Sequence, residues 1–296
     1  MVVTGANSGI GFETARMFAE RGARVVLACR SSDKADAACD EIRATAPDAE
    51  LHTVILDLAS SESVHAAAKT IGAEFDRIDL LINNAGAAFG TRTLVDGVER
   101  TFVTNQLGPF AFTGSLLECV LAAPAGRIVT VSSGSHEAGR LDLDDLAYAR
   151  RRYGRWRAYA QSKLANLLFT FELQRRLAAA GERTVAVAAH PGGAATEFGH
   201  NAGGFTRVMS APPLRRLLSP LVNTAAEGAL PTMRAAVDPD VRGGEFYGPD
   251  RFRGIRGLPH QVQPAAAARD TAAGAKLWDR CEQLTGVHYP QLRPRT

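Results

Sequence analysis

The chain has 296 residues, of which 46% are hydrophobic and 22% charged, an ordinary composition for a folded protein with a large core. Its 34 basic and 31 acidic residues leave a net charge of +3, too small to indicate a nucleic-acid-binding surface, and no apolar run approaches the ~20 residues of a membrane span. The four cysteines lie far apart without a C-x-x-C pair, so we predict no metal site and no disulfide framework, and expect a cytoplasmic protein.

The first motif is a glycine-rich turn that follows a short apolar start. Residues 1–3 are Met-Val-Val, and an amphipathic run after the turn ends at Gly22. A strand, a glycine turn and a helix in this order form the first half of a βαβ unit, in which glycines let backbone amides approach a pyrophosphate at the helix N-terminus. We therefore predict a dinucleotide-binding turn, with a plain turn as the alternative. The residues concerned are Gly5, Asn7, Ser8, Gly9, Ile10 and Gly11.

The end of the second predicted strand, residues 24–29, indicates which cofactor this turn would take. In a dinucleotide fold this position meets the adenosine ribose, where an acidic residue would accept hydrogen bonds from a free 2′-hydroxyl. Here Cys29 occupies the position, and Arg30 and two serines follow it. Because a guanidinium with hydroxyl groups suits a 2′-phosphate, the sequence favours NADP over NAD; an Arg30 that is merely solvated is the alternative.

Two further strands are predicted to end at the same edge of the sheet. Residues 51–56 lead into Asp57 and Leu58, which we expect at the adenine, and residues 78–82 lead into an Asn-Asn-Ala-Gly loop. Open α/β sheets bind ligands beyond the carboxyl ends of their strands, although a plain turn fits the loop equally well. The loop residues predicted to bind the cofactor are Asn84, Ala85 and Gly86.

A long helix is predicted over residues 95–121, with a break inside it. Pro109 cannot donate a backbone hydrogen bond, and its ring crowds the preceding turn. We therefore expect a kink or bulge near Asn105 that frees a backbone carbonyl for water or for a side chain. A packing kink without a functional role is the alternative.

The fifth predicted strand and the helix after it carry polar groups suited to proton transfer. The strand, residues 127–131, delivers Ser132 and Ser133, which point to opposite sides, so that only one can face the cleft. On the helix, Tyr159 and Lys163 are four residues apart and share a face. A fixed ammonium lowers the pKa of a nearby phenol, which can then act as general acid or base on an alcohol or a carbonyl. A solvated surface pair is the alternative for this spacing by itself.

The remaining elements complete a single predicted domain over residues 1–296. A strand over 184–189 leads into Pro191 and Gly192, residues 194–220 are irregular as a lid or substrate loop would be, and a helix over 224–237, a strand over 245–247 and a helix over 264–285 follow. Residues 1–125 would mainly bind the cofactor, 126–250 would hold the catalytic residues and the substrate loop, and 264–286 would form the C-terminal helix. Because a strand usually has ~5–6 residues and only three precede Thr4, we expect the natural chain to start upstream of Met1.

Taken in this order, the motifs resemble those of the short-chain dehydrogenase/reductase family. The resemblance spans residues 2–250. The short sequence segments around the motifs are similar to those of the retinol dehydrogenase and protochlorophyllide-reductase-like branch. It implies an α/β fold with a Rossmann-type, doubly wound parallel sheet of about seven strands and helices on both faces. The residues that carry the family resemblance are Thr4, Gly5, Gly9, Ile10, Gly11, Asn84, Ala85, Gly86, Asn105, Ser133, Tyr159, Lys163, Pro191 and Gly192. The segments that resemble the branch add Cys29, Arg30, His136 and Asn166.

The resemblance implies roles for the individual residues of the site. Tyr159 would exchange a proton with the reacting oxygen, and Lys163 would lower the pKa of Tyr159 and hold the nicotinamide ribose. Ser133 would orient the substrate oxygen. Asn105 would hold a water that links Lys163 to solvent, and Thr196 would touch the nicotinamide carboxamide.

The resemblance further implies an NADP-dependent oxidoreductase that interconverts an alcohol and a carbonyl of a small molecule, with the hydride carried by the cofactor. We expect an apolar substrate from the apolar residues of the irregular segment. A C=C double-bond reductase on the same scaffold and a non-catalytic NADP(H)-binding regulator are the alternatives. A homodimer or homotetramer is expected, with neither a nucleic-acid partner nor a membrane span. The apolar residues are Phe198, Phe205, Val208, Met209 and Leu214.

Overall fold

The structure, a computed structural model, describes residues 1–193, 223–252 and 254–292. In these residues, eight strands form one sheet and two more form a hairpin. The strands are β1 (Val2–Thr4), β2 (Val25–Cys29), β3 (Leu51–Ile55), β4 (Leu80–Asn83), β5 (Leu94–Val95), β6 (Val98–Glu99), β7 (Arg127–Val131), β8 (Val185–Ala189), β9 (Phe246–Arg251) and β10 (Arg256–Gln261). The order in the sheet is β10-β9-β8-β7-β4-β1-β2-β3.

The helices lie between the strands in the alternating pattern that a parallel sheet requires. They are α1 (Gly9–Ala19), α2 (Ser32–Thr45), α3 (Ser61–Glu74), α4 (Arg100–Phe102), α5 (Gly108–Leu121), α6 (Arg155–Ala179), α7 (Ala225–Val237) and α8 (Thr271–Thr285), with a π-helical segment, Val103–Leu107, joining α4 to α5. Across the described residues, no helix combines the length and the apolar character needed to cross a membrane.

The strand order places the ligand-binding crevice. β1 pairs in parallel with β2 on one side and with β4 on the other. The strand order therefore has its topological switch point at β1. In open α/β sheets the crevice lies beyond the carboxyl ends of the strands at such a switch point. The glycine turn after β1 and the loop after β4 both begin there, as the sequence predicts.

The predicted fold class is confirmed, but the sheet has eight strands where about seven were expected. The sequence-based prediction ends at a strand over 245–247, whereas β9 continues to Arg251 and β10 pairs with it in the antiparallel direction. β10 contains Gly257 and Pro259, residues that are depleted in strands, and its register shifts between Arg256 and Pro259. Its pairing therefore depends on the hairpin with β9 and is invisible in its own residue pattern.

The prediction of a long helix over residues 95–121 is wrong about where the helix begins and correct about the interruption inside it. Residues before Arg100 form the β5–β6 hairpin, whose two turn residues, Asp96 and Gly97, have positive φ angles of 48° and 78°. Asp-Gly is a preferred pair for a two-residue hairpin turn, and this signal could have corrected the boundary. The expected bulge near Asn105 is confirmed as the π-helical segment.

Apolar side chains cover both faces of the sheet, as a doubly wound fold requires. Neighbouring strand residues alternate: Val2 and Ile128 join the core on the side of α3, α5, α6 and α8, whereas Val3 and Val129 join the core on the side of α1, α2 and α7. All four side chains are at most 1% exposed. This two-sided burial holds the strand ends, and the loops that follow them, in fixed positions.

Candidate active site

The glycine turn after β1 is packed too closely to admit side chains. Gly5 and Gly9 have φ angles of +66° and +57°, in the left-handed region that favours glycine. A Cβ on Gly11 would lie 2.3 Å from the Gly5 carbonyl oxygen and 2.4 Å from Nδ2 of Asn84. The first turn of α1 thus lies directly on the loop backbone, and its N-terminus opens toward the crevice where an anion would be stabilised.

Hydrogen bonds between Thr4 and Asn84 join the glycine turn to the loop after β4. The Thr4 hydroxyl accepts hydrogen bonds from the backbone amides of Asn84 and Ala85, both at 3.0 Å. In return, Nδ2 of Asn84 donates to the Thr4 carbonyl at 2.9 Å. The Asn84 side chain therefore ties neighbouring backbone together, and Thr4 is a supporting residue to which the sequence analysis gave no role.

The end of β2 carries a buried thiol followed by an exposed arginine. The Cys29 sulfur receives hydrogen bonds from the backbone amides of Ala6 and Asn7, while burial raises the pKa of this thiol to about 11. Cys29 therefore stays protonated and neutral at neutral pH. Arg30 is exposed just beyond it. A neutral thiol beside the Arg30 guanidinium suits an anionic ligand group at this end of the strand. A carboxylate at position 29 would repel such a group.

The predicted adenine contacts after β3 are held by local hydrogen bonds. Oδ1 of Asp57 accepts from the Ala59 amide at 2.9 Å, and the Asp57 amide donates to the Ser63 hydroxyl at 2.9 Å. Leu58 is 5% exposed and its side chain belongs to the core beside α5. Asp57 is partly buried, and its contact with the adenine stays a prediction.

The two serines after β7 point in opposite directions, as the strand alternation predicts. Ser132 is buried, and its hydroxyl donates to the Lys163 carbonyl on α6 at 2.8 Å. The hydroxyl of Ser133 accepts from the Ser135 amide at 3.2 Å, and the Ser133 side chain also hydrogen-bonds to Tyr159. Ser133 is therefore the serine that faces the reactive phenol.

Burial determines the pKa of the phenol in this structure. It raises the pKa of Tyr159 to about 12, while the hydrogen bond with Ser133 acts in the opposite direction. The lowering of this pKa by Lys163 stays a prediction: Nζ of Lys163 lies 5.7 Å from the centroid of the Tyr159 ring. Tyr159 holds its proton at neutral pH.

The ammonium of Lys163 is buried and bonded to two fixed oxygens. Nζ donates to the Val131 carbonyl at 2.8 Å and to Oδ1 of Asn166 at 3.1 Å, and the side chain is 3% exposed. Burial lowers the pKa of Lys163 to about 7. Gly86 lies beside it, since a Cβ there would be 3.3 Å from Nζ. The loop after β4 thus brings the predicted cofactor site and the predicted catalytic lysine together.

Asn105 uses its side chain to hold the loop after β4. Its Oδ1 accepts from the Ala87 amide and its Nδ2 donates to the Ala87 carbonyl, both at 2.8 Å. Its backbone carbonyl accepts from Nδ2 of Asn166 at 2.7 Å. The carbonyl that the bulge was expected to free is therefore taken by a side chain; the water predicted at Asn105 stays a prediction, because a carbonyl oxygen has a second lone pair.

The segment after β8 is anchored by a buried histidine. The Gly192 amide donates to Nδ1 of His190 at 3.3 Å, and Gly192 has a φ of +72° with the Ile255 carbonyl oxygen 2.3 Å from its would-be Cβ. Pro191 is partly buried beside them. The predicted carboxamide contact Thr196 and the expected apolar substrate loop lie outside the described residues.

Comparisons with known proteins agree with this arrangement. The family model of short chain dehydrogenases matches residues 1–204. Retinol dehydrogenase 13 of Homo sapiens is 38% identical over 296 residues, a match that covers 99% of this chain and 86% of that protein. A crystal structure of a protein from Mycobacterium paratuberculosis is 41% identical with a TM-score of 0.79, over 98% of this chain and 94% of that one.

A more distant structure shows the same fold in a nucleotide complex. The short chain dehydrogenase from Burkholderia cenocepacia in complex with NADP has a TM-score of 0.63 at 21% identity, over 83% of this chain and 93% of that chain. At this identity the likeness concerns the fold alone.

Proposed function

This chain belongs to the short-chain dehydrogenase family of oxidoreductases, and we propose that it transfers a hydride between NADP(H) and the alcohol or carbonyl carbon of an apolar small molecule. The observation that carries the proposal is the hydrogen bond between Ser133 and Tyr159, with Lys163 one helical turn further along α6. Ser133 follows the carboxyl end of β7, and Tyr159 and Lys163 lie on α6. Open α/β sheets bind ligands beyond the carboxyl ends of their strands.

The residues of the site supply the proton chemistry. When bound, the nicotinamide cofactor supplies or accepts the hydride. The hydroxyls of Ser133 and Tyr159 donate hydrogen bonds to the carbonyl oxygen, where negative charge develops during reduction. Tyr159 then gives its proton to that oxygen, and the Lys163 ammonium stabilises the phenolate left behind. A phenol that holds its proton at neutral pH is in the form that carbonyl reduction requires.

The residues around the glycine turn fit an NADP molecule. The backbone of Gly9, Ile10 and Gly11 at the start of α1 would hold the pyrophosphate, and Arg30 would pair with the 2′-phosphate. The neutral Cys29 thiol leaves no carboxylate that would repel this phosphate.

An apolar alcohol or aldehyde is the proposed substrate class. The support is the name of the 38% identical relative, a retinol dehydrogenase, and the apolar composition of residues 194–220. A homodimer or homotetramer is proposed from the family resemblance.

The decisive test is Tyr159→Phe, which removes the proton donor and keeps the ring. We expect turnover of an aldehyde panel with NADPH to fall by about 10²–10⁴-fold, while NADPH binding, followed by nucleotide fluorescence, is retained. Tyr247→Phe is the matched control, because the hydroxyl of Tyr247 on β9 bonds to Glu245 and its removal should leave turnover unchanged. Full turnover by Tyr159→Phe would refute the assignment, and an enone in the panel separates C=C reduction from carbonyl reduction.

A further inference from the structure

A single buried amide connects the catalytic lysine to the π-helical segment. Oδ1 of Asn166 accepts from Nζ of Lys163 at 3.1 Å. Its Nδ2 donates to the Asn105 carbonyl at 2.7 Å and to Oε1 of Gln106 at 3.0 Å. Asn105, Gln106 and Asn166 are each at most 2% exposed. The amide has one possible orientation, because a flipped group would set its oxygen against two other oxygens.

Pro109 explains why the Asn105 carbonyl is available to this amide. In an α-helix the carbonyl of residue 105 would accept from the amide of residue 109, and proline has no N–H to give. The π-helical segment Val103–Leu107 lies at this point and shifts the local backbone. A buried carbonyl without a partner is costly, and the Asn166 side chain provides the missing donor.

The same amide restricts the lysine. An ammonium has three N–H groups, and two of them point at the fixed oxygens of Val131 and Asn166. The third is left for the site, on the side where Gly86 leaves room beside Nζ. A lysine stem rotates easily, so two fixed acceptors determine where its charge is placed.

We infer that Asn166 is a positioning residue that fixes the Lys163 ammonium in the site and stabilises its charged form. Its consequence for catalysis rests on the proposed function, whereas its effect on Lys163 does not. A hydrogen bond to the charged form of a group favours that form, and here it opposes the burial that lowers the pKa of Lys163 to about 7. Gln106, whose Nε2 lies 3.8 Å from Sγ of Cys281, holds Asn166 from the other side.

Few titratable groups face Lys163 in the described part of the chain. Tyr159 contributes a phenol from α6, and the pKa of the lysine is lowered by burial and not by a neighbouring charge. The thiol of Cys281 on α8 lies beyond Gln106, and burial raises its pKa to about 12, so it carries no charge at neutral pH. The neighbours on β7 and in the π-helical segment are neutral. A change at residue 166 should therefore act on the lysine without a competing charge.

The chain offers a direct measurement of the lysine. It contains four lysines, and Lys34, Lys69 and Lys276 are exposed. With ¹³Cε-labelled lysine, an NMR pH titration should show one resonance, that of Lys163, with a titration midpoint far below the other three. The Lys163→Arg variant assigns that resonance by its disappearance.

Two substitutions of Asn166 should move this midpoint in opposite directions. Asn166→Leu removes an acceptor, so the proton affinity of Lys163 should fall by at least about tenfold, and Asn166→Asp places a carboxylate at the acceptor and should raise it by at least about tenfold. Thr170→Val, one turn further along α6, is the matched control, because the Thr170 hydroxyl bonds to the Asn166 backbone carbonyl at 2.8 Å and not to the side-chain amide that holds Lys163. That variant should titrate like the parent protein.

The outcomes separate this inference from the proposed function. The NMR titration needs neither substrate nor cofactor, so it stands even if the Tyr159 test fails. Folded Asn166 variants in which Lys163 titrates as in the parent would overturn the inference. If Asn166→Leu does not fold, Asn166→Asp decides alone: a raised midpoint supports the inference, and an unchanged or lowered one contradicts it. In turnover, the alkaline limb of the kcat/KM profile should move in the same direction as the midpoint.

Discussion

Two buried histidines hold the strand ends that carry the site residues. Nδ1 of His136 lies 2.7 Å from the Ser133 carbonyl oxygen and must donate to it, while Nε2 accepts from the Ala265 amide at 3.1 Å. Nδ1 of His190 accepts from the Gly192 amide. Both rings pack on Phe246, with centroids 5.5 Å and 5.1 Å away. Each imidazole is therefore used in its neutral form, and protonation would break a hydrogen bond.

Stability should consequently decrease in acid. Burial and the nearby His136 lower the pKa of His190 to about 4 from an ordinary value of 6.5, and burial lowers that of His136. The unfolded chain therefore binds more protons than the folded one between these values, and the free energy of unfolding should fall by about 3 kcal/mol as the pH drops from 6.5 to 4. Urea unfolding at a series of pH values measures this loss.

His190→Asn isolates the contribution of that residue. An Asn side-chain oxygen can replace Nδ1 as the acceptor for Gly192 without titrating, so the variant should lose most of the pH dependence in this window. His65→Asn, at an exposed position on α3, is the control and should keep the parent profile. An identical slope for parent and His190→Asn proteins would contradict the argument.

At the scale of elements, α5 lies against the loop after β3 with no side chain between them. A Cβ on Gly108 would be 2.3 Å from the Leu58 carbonyl oxygen. This contact sets the distance between α5 and the strand end that carries Asp57. In α3, by contrast, Gly72 is exposed, and a Cβ there would meet only the Cys119 sulfur at 3.9 Å.

Alanine should therefore have opposite effects at these two helical glycines. Gly72→Ala should raise the free energy of unfolding by about 0.5–1 kcal/mol, because alanine loses less conformational entropy in a helix. Gly108→Ala should lower it by about 1–3 kcal/mol despite the same propensity gain, because the added methyl forces the backbones apart. Chemical denaturation of both variants gives the comparison, and stabilisation by Gly108→Ala would show that α5 can shift freely.

At the scale of the whole molecule, the C-terminal helix belongs to the main core. Trp278 is 1% exposed and packs against Phe110, Phe169 and Tyr289, with ring centroids 4.5–6.0 Å from its own. The Tyr289 hydroxyl donates to the Phe110 carbonyl at 2.6 Å. Phe110 lies in the first turn of α5, which follows the π-helical segment, so α8 supports the part of the chain next to Asn105.

The two tryptophans of the chain should differ sharply in their effect on stability. Trp278→Ala leaves a cavity and should cost about 3–5 kcal/mol of unfolding free energy. Trp156, which is 52% exposed on the first turn of α6, should change it by no more than about 0.5 kcal/mol when replaced by alanine. Thermal and urea unfolding followed by circular dichroism measure both. Equal losses would mean that α8 does not pack as the structure shows.

Local residue patterns determined the strand–turn–helix order and the features that depend on neighbouring residues. The β7 bounds, the opposite directions of Ser132 and Ser133, and the bulge near Asn105 all follow from strand alternation or from the missing N–H of Pro109. Such features are set within a few residues of chain, and periodicity reports them directly.

Only the tertiary structure decided which strands pair, which distant residues hydrogen-bond to each other, and how burial shifts the pKa values of the site residues. β10 pairs because β9 lies beside it, and Asn166 reaches the Asn105 carbonyl across 61 residues of sequence. The pKa of Tyr159 rises because the folded chain buries it, a cost that the Tyr-x-x-x-Lys spacing does not contain. Desolvation and long-range hydrogen bonds depend on everything that surrounds a group, and that surrounding exists only once the sheet and its helices have come together.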